Sequence, residues 1–313
     1  MSPPRTSAVP ELFASATSVS ALPPAVDPVF EMPIGALAPW FGSKRTLGPR
    51  IVEALGTHRV YWEPFCGSCA VLLAKPAAPM ETVNDLHGGL VNLARVVQND
   101  ELAPRLFDRM TRTAMHEDVF NDAAKRFRDR GNVPADNVPD LDRATDYLLC
   151  AWMGRNGVAG THSYNQGFCA RYTANGGHAA KRFISMVDSI PAWWQRLRAV
   201  TIQHRDGFDL LERIEDASNT AIYLDPPYVT KGAKYVHDFA VADHARLAEV
   251  VKRRFVKSRV VVSYYDCDVV RRLWDGWKFI DCTMRKSLVN QGMRTRETAG
   301  AVAPEVLIVN GGA

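Results

Sequence analysis

The chain has 313 residues, enough for one large or two ordinary domains, and its 47% hydrophobic content is typical of a globular protein with a core. No apolar run approaches the roughly 18–20 residues that span a bilayer, which excludes a membrane-spanning helix. The net charge of +4 is compatible with DNA binding, but it is also common in enzymes without a nucleic-acid partner. The six cysteines form no recognisable disulfide framework, which favours a reducing cytoplasm.

Residues 1–35 are predicted to form a disordered leader. They are rich in Pro, Ser and Ala and offer little apolar surface to bury. Because the segment has neither a basic start nor a continuous apolar stretch, it is not expected to be a signal peptide.

Strands and helices alternate in the next part of the chain. The pattern predicts a helix at about residues 45–55, a strand at 59–62, a helix at 69–75, a strand at 81–84 and a helix at 88–98. Such alternation is typical of an α/β fold with a largely parallel sheet.

Several residues around these first strands are suited to a nucleotide-like ligand. A turn containing Phe65, Gly67 and Ser68 joins the first strand to a helix, where open α/β sheets bind such ligands. Asp85 follows the second strand and can accept hydrogen bonds from ribose hydroxyls. Ahead of the first strand, Trp40 can cover an aromatic base and Lys44 can neutralise a ligand carboxylate.

Residues 101–198 interrupt the alternation and are predicted to form a mainly helical insert. They are helical and charged to about Arg130, then polar and Pro-rich to Asp140. A helix predicted from Leu141 to Met153 leads into a glycine-rich loop that runs to Lys181.

This loop carries side chains of types that can contact nucleic acid. It contains Arg155, Asn156 and Asn165, whose side-chain types read base edges through paired hydrogen bonds. Further along, Arg171, Lys181 and Arg182 can contact phosphates. A glycine-rich surface loop with solvated charges remains the alternative interpretation.

Alternation resumes after the insert. We predict a strand at 199–203, a short helix at 207–214, a strand at 220–224, a helix at 242–255, a strand at 258–263, a helix at 267–274, and a final strand pair near 277–284 and 304–310. The final pair has no intervening helix and is expected to close the sheet as an antiparallel hairpin. Its loop carries Arg294 and Arg296, and the loop after the 220–224 strand carries Lys231; these basic side chains can contact a duplex backbone.

Asp225-Pro226-Pro227-Tyr228 is the most informative segment. It follows a buried strand, and neither proline can donate a hydrogen bond, so the strand ladder stops there. The turn presents a carboxylate, carbonyl acceptors and an aromatic face, which together can hold a planar ring that bears an exocyclic amine. A strand-to-loop turn with an aromatic plug is the alternative.

Together these segments resemble the Dam-like (α-group) DNA adenine N6-methyltransferases, from about Ala38 to Asn310. The matching segments are Trp40–Lys44, Glu63–Ser68, Asn84–Leu86, Asp225–Tyr228 and Glu305–Asn310. The resemblance implies an α/β fold: a Rossmann-like methyltransferase sheet with an antiparallel C-terminal hairpin and a mainly helical insert. It also implies S-adenosylmethionine as methyl donor and adenine N6 in duplex DNA as acceptor.

The resemblance assigns roles to individual residues. Catalysis falls to Asp225, Pro226, Pro227 and Tyr228, and cofactor binding to Trp40, Lys44, Phe65, Gly67, Ser68, Asp85, Asp206 and Asp225, with no metal. The catalytic domain would comprise residues 36–100 and 199–313, and the target-recognition domain residues 101–198. A cognate restriction endonuclease and a monomer or weak dimer are further expectations.

One position departs from the family pattern. Cys69 stands where the cofactor turn usually has a glycine, and a left-handed backbone there would strain a cysteine. It also creates the pattern Cys66-Gly67-Ser68-Cys69, but no second such pair follows, which disfavours a zinc or redox site.

Three other functions share parts of this pattern. Cytosine N4 offers the same exocyclic amine, although its enzymes usually begin the turn with Ser. A DNA-binding regulator could keep the fold without catalysis. Methylation of RNA or of a protein amide also uses a Pro-Pro-Tyr turn, commonly with Asn first.

Overall fold

The computed structural model describes residues 32–40, 42–130, 138–154, 159, 167–169, 178–229, 236–285 and 302–311. The chain divides into two compact units: a helical unit (Met1–Gly42, His87–Ala159 and Ser163–Val200) and a sheet unit (Ser43–Leu86, Gly160–His162 and Thr201–Ala313). The predicted leader lies outside the described residues up to position 31. The domain boundaries predicted at residues 100 and 199 stay a prediction.

The sheet unit is built on a seven-stranded sheet within the described residues. Its strands are β1 (Val60–Glu63), β2 (Met80–Asn84), β3 (Thr201–Gln203), β4 (Thr220–Leu224), β5 (Arg259–Tyr265), β6 (Lys278–Asp281) and β9 (Glu305–Val309), in the order β3-β2-β1-β4-β5-β9-β6. The first five strands in this order are parallel, and β9 is antiparallel to both of its neighbours. Two short strands, β7 (Met284–Arg285) and β8 (Val302–Ala303), pair separately. The predicted α/β fold with an antiparallel C-terminal pair is therefore confirmed.

Five helices of the sheet unit are described: α1 (Gly48–Leu55), α2 (Ala70–Ala74), α8 (Gly207–Leu211), α9 (Val241–Arg254) and α10 (Asp268–Leu273). On one face of β4, Ile222 and Leu224 pack in a core cluster with Leu247 and Val251 of α9. Because side chains alternate along a strand, Tyr223 points to the opposite face. That face carries polar residues at the centre of the sheet.

The helical unit contains α3 (Gly88–Gln98), α4 (Leu102–Thr111), α5 (Glu117–Arg130), α6 (Leu141–Met153) and α7 (Ala179–Leu197). Local capping explains two of the starts: His87 Nδ1 accepts from the Leu90 amide at 3.2 Å, and Asp140 Oδ1 accepts from the Arg143 amide at 2.9 Å. A tryptophan side chain binds the segment around Leu37 within this unit: Trp152 Nε1 donates to the Leu37 carbonyl at 3.1 Å. In the part of the chain described here, no helix is long and apolar enough to cross a membrane.

Candidate active site

The sequence ends β4 at Leu224 and leaves the turn that follows partly exposed. β4 is buried along its whole length, and the two prolines that follow Asp225 cannot extend the ladder. The Asp225 side chain keeps 21% of its surface exposed, whereas Tyr228 keeps only 8%. The turn therefore presents its carboxylate to a ligand more fully than its aromatic ring.

Two donors converge on one oxygen of Asp225. Lys44 Nζ lies 3.0 Å from Asp225 Oδ1, and Ser263 Oγ donates to the same Oδ1 at 2.8 Å. Ser263 can reach it because β4 and β5 are paired with Leu224 opposite Val262, one position earlier. Neither contact uses Oδ2, so the carboxylate is oriented through one oxygen.

Lys44 also contacts a second carboxylate, that of the buried Glu305 at the start of β9. Lys44 Nζ lies 3.4 Å from Glu305 Oε1, and the Tyr228 hydroxyl donates to the same oxygen. The ammonium is 4.9 Å from the centroid of the Tyr228 ring. Glu305 lies in a segment that matches the family pattern, but the sequence alone did not predict that its side chain contacts Lys44 and Tyr228.

These surroundings change how Asp225 binds protons. Burial raises the pKa of Asp225, and the Glu305 carboxylate adds to this, while the Lys44 ammonium and the Ser263 hydroxyl lower it; the pKa remains above its usual value. A carboxylate of raised pKa is a stronger hydrogen-bond acceptor than an ordinary aspartate, which suits contact with an amine. Burial also raises the pKa of Tyr228 well above its ordinary value.

The turn after β1 is shaped by backbone geometry. The Cys66 amide donates to the Asn84 carbonyl at 2.9 Å, and the Gly67 amide donates to Asp85 Oδ2 at 2.8 Å. Two of its residues have positive φ, 46° at Gly67 and 57° at Cys69. Cys69 thus occupies the left-handed conformation that we expected to strain a non-glycine residue.

The two cysteines of this turn form no disulfide, but Cys69 Sγ donates a hydrogen bond to Cys66 Sγ. Their sulfurs lie 3.6 Å apart, and all six cysteines of the chain are free. Within the described ranges, no group of three or more His, Cys, Asp or Glu residues could hold a metal ion.

Glu63, the last residue of β1, is a buried acid that sequence analysis did not count as a site residue. Its side chain is 1% exposed, and its Oε2 accepts from the Tyr61 hydroxyl at 2.8 Å. Burial raises the pKa of Glu63 to about 8, against the lowering effect of its hydrogen bonds to Tyr61 and the Leu72 amide. Glu63 is therefore mostly neutral at pH 7, in contrast to the ion-paired Asp225.

Hydrogen bonds also fix the ends of β1, β2 and β3 together. Asn84 Nδ2 donates to the carbonyls of Pro64 and Arg205, and its Oδ1 accepts from the Arg205 amide. Asp206 caps α8 by accepting from the Phe208 amide at 2.8 Å. This clamp gathers the turn residues of three neighbouring strands at one edge of the sheet.

Phe65 lies directly against the backbone of this clamp. A Cβ on Gly207 would come within 2.3 Å of Phe65 Cε1, so only glycine allows the ring to pack there. The carboxylates of Asp85 and Asp206 can accept hydrogen bonds from a ribose diol, and the Phe65 ring can pack on an aromatic base. These groups fit S-adenosylmethionine.

Two other predicted cofactor residues have contacts of their own. Ser68 Oγ is 3.4 Å from Ser43 Oγ within the sheet unit. Trp40 belongs to the helical unit, where its ring meets the edge of His87 at 5.4 Å and its backbone forms a bridge with Ala159. Its contact with a cofactor stays a prediction.

The structure describes two of the predicted DNA-binding residues. Lys181 is exposed near the start of α7, whereas Arg182 Nη2 donates to the Trp152 carbonyl at 3.1 Å. The others, Arg155, Asn156, Asn165, Arg171, Lys231, Arg294 and Arg296, lie outside the described residues. Their roles stay predictions.

A cleft of about 580 Å³ in the helical unit is lined by arginines, including Arg109, Arg126 and Arg130. Their guanidinium groups pair with Asp142 and Asp146. Because carboxylates offset much of this positive charge, the cleft is not assigned to DNA.

Comparisons with known proteins identify the family of this chain. The family model of the D12 class N6 adenine-specific DNA methyltransferases matches residues 40–288. The Retron Ec67 DNA adenine methylase of Escherichia coli is 23% identical over 279 residues, which cover 87% of this chain and 90% of that protein.

Two solved structures are only distantly similar. They are a precorrin-6y C5,15-methyltransferase from Geobacter metallireducens (TM-score 0.33, 10% identity, 85% of each chain) and the rRNA methyltransferase aviRa from Streptomyces viridochromogenes (TM-score 0.34, 12% identity, 85% and 84%). At such TM-scores the likeness carries no argument. The family is shown instead by the sequence match over most of the chain. This protein belongs to the D12 class of S-adenosylmethionine-dependent DNA adenine N6-methyltransferases.

Proposed function

We propose that the turn Asp225–Tyr228 binds an adenine flipped out of duplex DNA and activates its N6 amine. Asp225 Oδ2 accepts one N6 hydrogen, and the Pro226 carbonyl accepts the other. The observation that carries this proposal is the convergence of Lys44 and Ser263 on Oδ1 of Asp225, which orients the carboxylate without engaging Oδ2.

The two hydrogen-bond acceptors would make adenine N6, a poor nucleophile, more reactive. The N6 lone pair is delocalised into the purine ring, and hydrogen bonds to both N6 hydrogens favour a tetrahedral nitrogen whose lone pair can attack. When bound, S-adenosylmethionine supplies an electrophilic methyl group on its sulfonium. As the N–C bond forms and the C–S bond breaks, Asp225 takes the proton that N6 releases. Positioning and electrostatics provide most of the acceleration.

The target atom lies inside the duplex, so the base must first leave the stack, at a cost of a few kcal/mol. Stacking of this base on Tyr228 stays a prediction, because the ring is 8% exposed and its hydroxyl is bound to Glu305. A small movement of the turn would be needed to present a ring face.

For the cofactor, we propose that Asp85 binds the ribose and that Phe65, Gly67, Ser68 and Asp206 line the remaining pocket. The fixed edge formed by the ends of β1, β2 and β3 supports this assignment. Lys44 has less support as a partner of the methionine carboxylate, because it already contacts Asp225 and Glu305.

The test is Asp225→Ala, which should lose methyl transfer to duplex DNA while retaining its fold and DNA binding. The exposed residue Asp275 provides a matched control, Asp275→Ala, which should keep wild-type activity. Nucleoside mass spectrometry after reactions with duplex DNA, single-stranded DNA, RNA and protein identifies the product. An active Asp225→Ala enzyme, or N4-methylcytosine as product, would contradict the proposal.

The residues outside the described structure allow a second test of DNA recognition. Arg155→Ala and Asn156→Ala should each cost about 1–3 kcal/mol at the recognition site and little on random DNA. Arg294→Ala and Arg296→Ala should weaken binding to all duplexes and reduce its salt dependence. Binding of cognate and random duplexes across a salt series separates these roles, and equal losses on both duplexes in the first pair would remove them from base reading.

The cellular setting of the enzyme is also a proposal. Six free cysteines support a reducing cytoplasm. We propose a monomer or weak dimer, which light scattering across a concentration series would test. A cognate restriction endonuclease would be expected to cleave DNA from cells that lack the enzyme and to spare DNA from cells that express it.

A further inference from the structure

Glu305 is a charged residue type at a buried strand position where an apolar residue would be expected. It begins β9, whose other residues, Val306–Val309, are buried and apolar, and it is only 7% exposed. A carboxylate removed from water remains charged at low cost only where donors or cations replace the lost hydration. Its partners therefore indicate what the residue is for.

Both partners of Glu305 belong to the catalytic turn or contact it. The Tyr228 hydroxyl donates to Glu305 Oε1, and Lys44 Nζ lies 3.4 Å from the same oxygen. Strand pairing adds an indirect route, because Glu305 lies opposite Tyr265, whose ring is 4.7 Å from that of Tyr228. The first residue of β9 is thus attached to the turn after β4.

We infer that Glu305 is a positioning residue for methyl transfer: it fixes the Tyr228 ring through its hydroxyl and shares Lys44 with Asp225. Lys44 is thereby held on Oδ1 of Asp225, and Oδ2 stays directed toward the substrate amine. This inference rests on the proposed role of Asp225.

The charge of Glu305 also acts on Asp225. The Lys44 ammonium is shared by the carboxylates of Asp225 and Glu305. Because the two negative charges repel each other, each carboxylate reduces the stabilisation of the other. The titratable groups that face Asp225 in the described residues are Lys44, Glu63, Tyr223, Tyr228, Tyr264, Tyr265 and Glu305. The Glu305 carboxylate raises the pKa of Asp225, so its removal should lower that pKa.

Glu305→Gln separates charge from shape, because the amide oxygen can still accept from Tyr228. Single-turnover transfer to duplex DNA should slow about tenfold or more, with little change in the dissociation constants for S-adenosylmethionine and DNA. The acidic limb of the pH–rate profile should move to lower pH. Tyr228→Phe should also slow transfer but leave this limb in place, because the Glu305 charge remains.

Glu81 offers a matched control. It is another buried glutamate of the sheet unit paired with a lysine, Lys75, and it lies on β2. Glu81→Gln should lower the melting temperature without changing the transfer rate of the folded enzyme or its pH profile. If Glu305→Gln behaves like this control, Glu305 is structural and the inference is overturned.

A third variant covers failure of Glu305→Gln to fold. Glu305→Asp keeps the charge and withdraws it by one methylene, so transfer should slow while the acidic limb stays in place; a wild-type rate would overturn the inference. An inactive Asp225→Ala enzyme together with a wild-type Glu305→Gln enzyme would reject only the role of Glu305. An active Asp225→Ala enzyme would instead reject the proposed function.

Discussion

The turns after β1 and after β4 follow adjacent parallel strands, but different interactions stabilise the two turns. After β4, the acid Asp225 is paired with Lys44 and accepts a hydrogen bond from Ser263. After β1, the acid Glu63 is mostly neutral, and the turn depends on positive φ angles and backbone hydrogen bonds. An ion pair therefore holds the turn after β4, and backbone geometry holds the turn after β1.

Under the proposed function, the turn after β4 is the catalytic turn and the turn after β1 is the cofactor turn, and this difference follows from their tasks. The catalytic turn must meet hydrogens whose acidity changes during the reaction, so its carboxylate has to remain ionised. The cofactor turn needs close approach of its backbone to a ligand, so a second buried charge would only add a desolvation cost. Substitutions that alter charge should disturb the first turn, and substitutions that alter backbone preference should disturb the second.

The largest effect should follow from Lys44→Met, which removes the cation that Asp225 and Glu305 share. The buried Glu305 and the partly exposed Asp225 lose their shared cation, at a cost of about 3 kcal/mol in the free energy of unfolding, and transfer should fall steeply. Chemical denaturation and single-turnover kinetics would measure both. Lys75→Met, which breaks the buried pair with Glu81, should lower stability but leave the chemistry of the folded enzyme intact.

A smaller effect should appear in the pH dependence of stability. The pKa of Glu63 is about 8 in the folded protein, above its ordinary value of 4.5. Its contribution to stability is therefore fully present below pH 4.5 and is lost as pH rises through about 8. In Glu63→Gln this loss, on the order of 3 kcal/mol between pH 5 and 8, should disappear. Identical slopes of unfolding free energy against pH in the two proteins would show that folding does not raise the pKa of Glu63.

Asp85→Asn should have a more limited effect, confined to the cofactor. The amide can still accept from Gly67, but it loses the charge-assisted bonds to ribose, which are worth about 2 kcal/mol. Calorimetry should show S-adenosylmethionine binding roughly 30-fold weaker. Asp209→Asn, an exposed acid on α8, is the control. Unchanged affinity in Asp85→Asn would remove Asp85 from the binding site.

The smallest effect should come from Cys69→Gly. Relief of the left-handed strain is offset by lost burial and by the entropy of glycine, so stability should stay within about 1 kcal/mol of wild type. Cofactor affinity should be at least as high. Cys69→Val places a branched side chain at the same φ of 57° and should be clearly less stable. Equal stability of the two variants would mean that backbone geometry does not limit this turn.

Sequence patterns predicted much of this architecture because their information is local. Proline pairs, glycine turns and runs of β-branched residues located β1, β2, β4 and the two turns within a few residues. The pattern could not predict that Lys44 binds Asp225 and Glu305, since that contact depends on how distant strands pair. Nor could it reveal the protonation of Glu63, which depends on how completely α2 and the sheet bury it.

The position of β9 has a consequence for folding. This strand comes last among the described strands, yet it lies in the sheet between β5 and β6. During synthesis, β5 and β6 emerge before the strand that joins them, so each waits with an unpaired edge that can associate with another chain. A nascent chain that stops before Glu305 would hold six of the seven strands of the described sheet and would still be prone to aggregate.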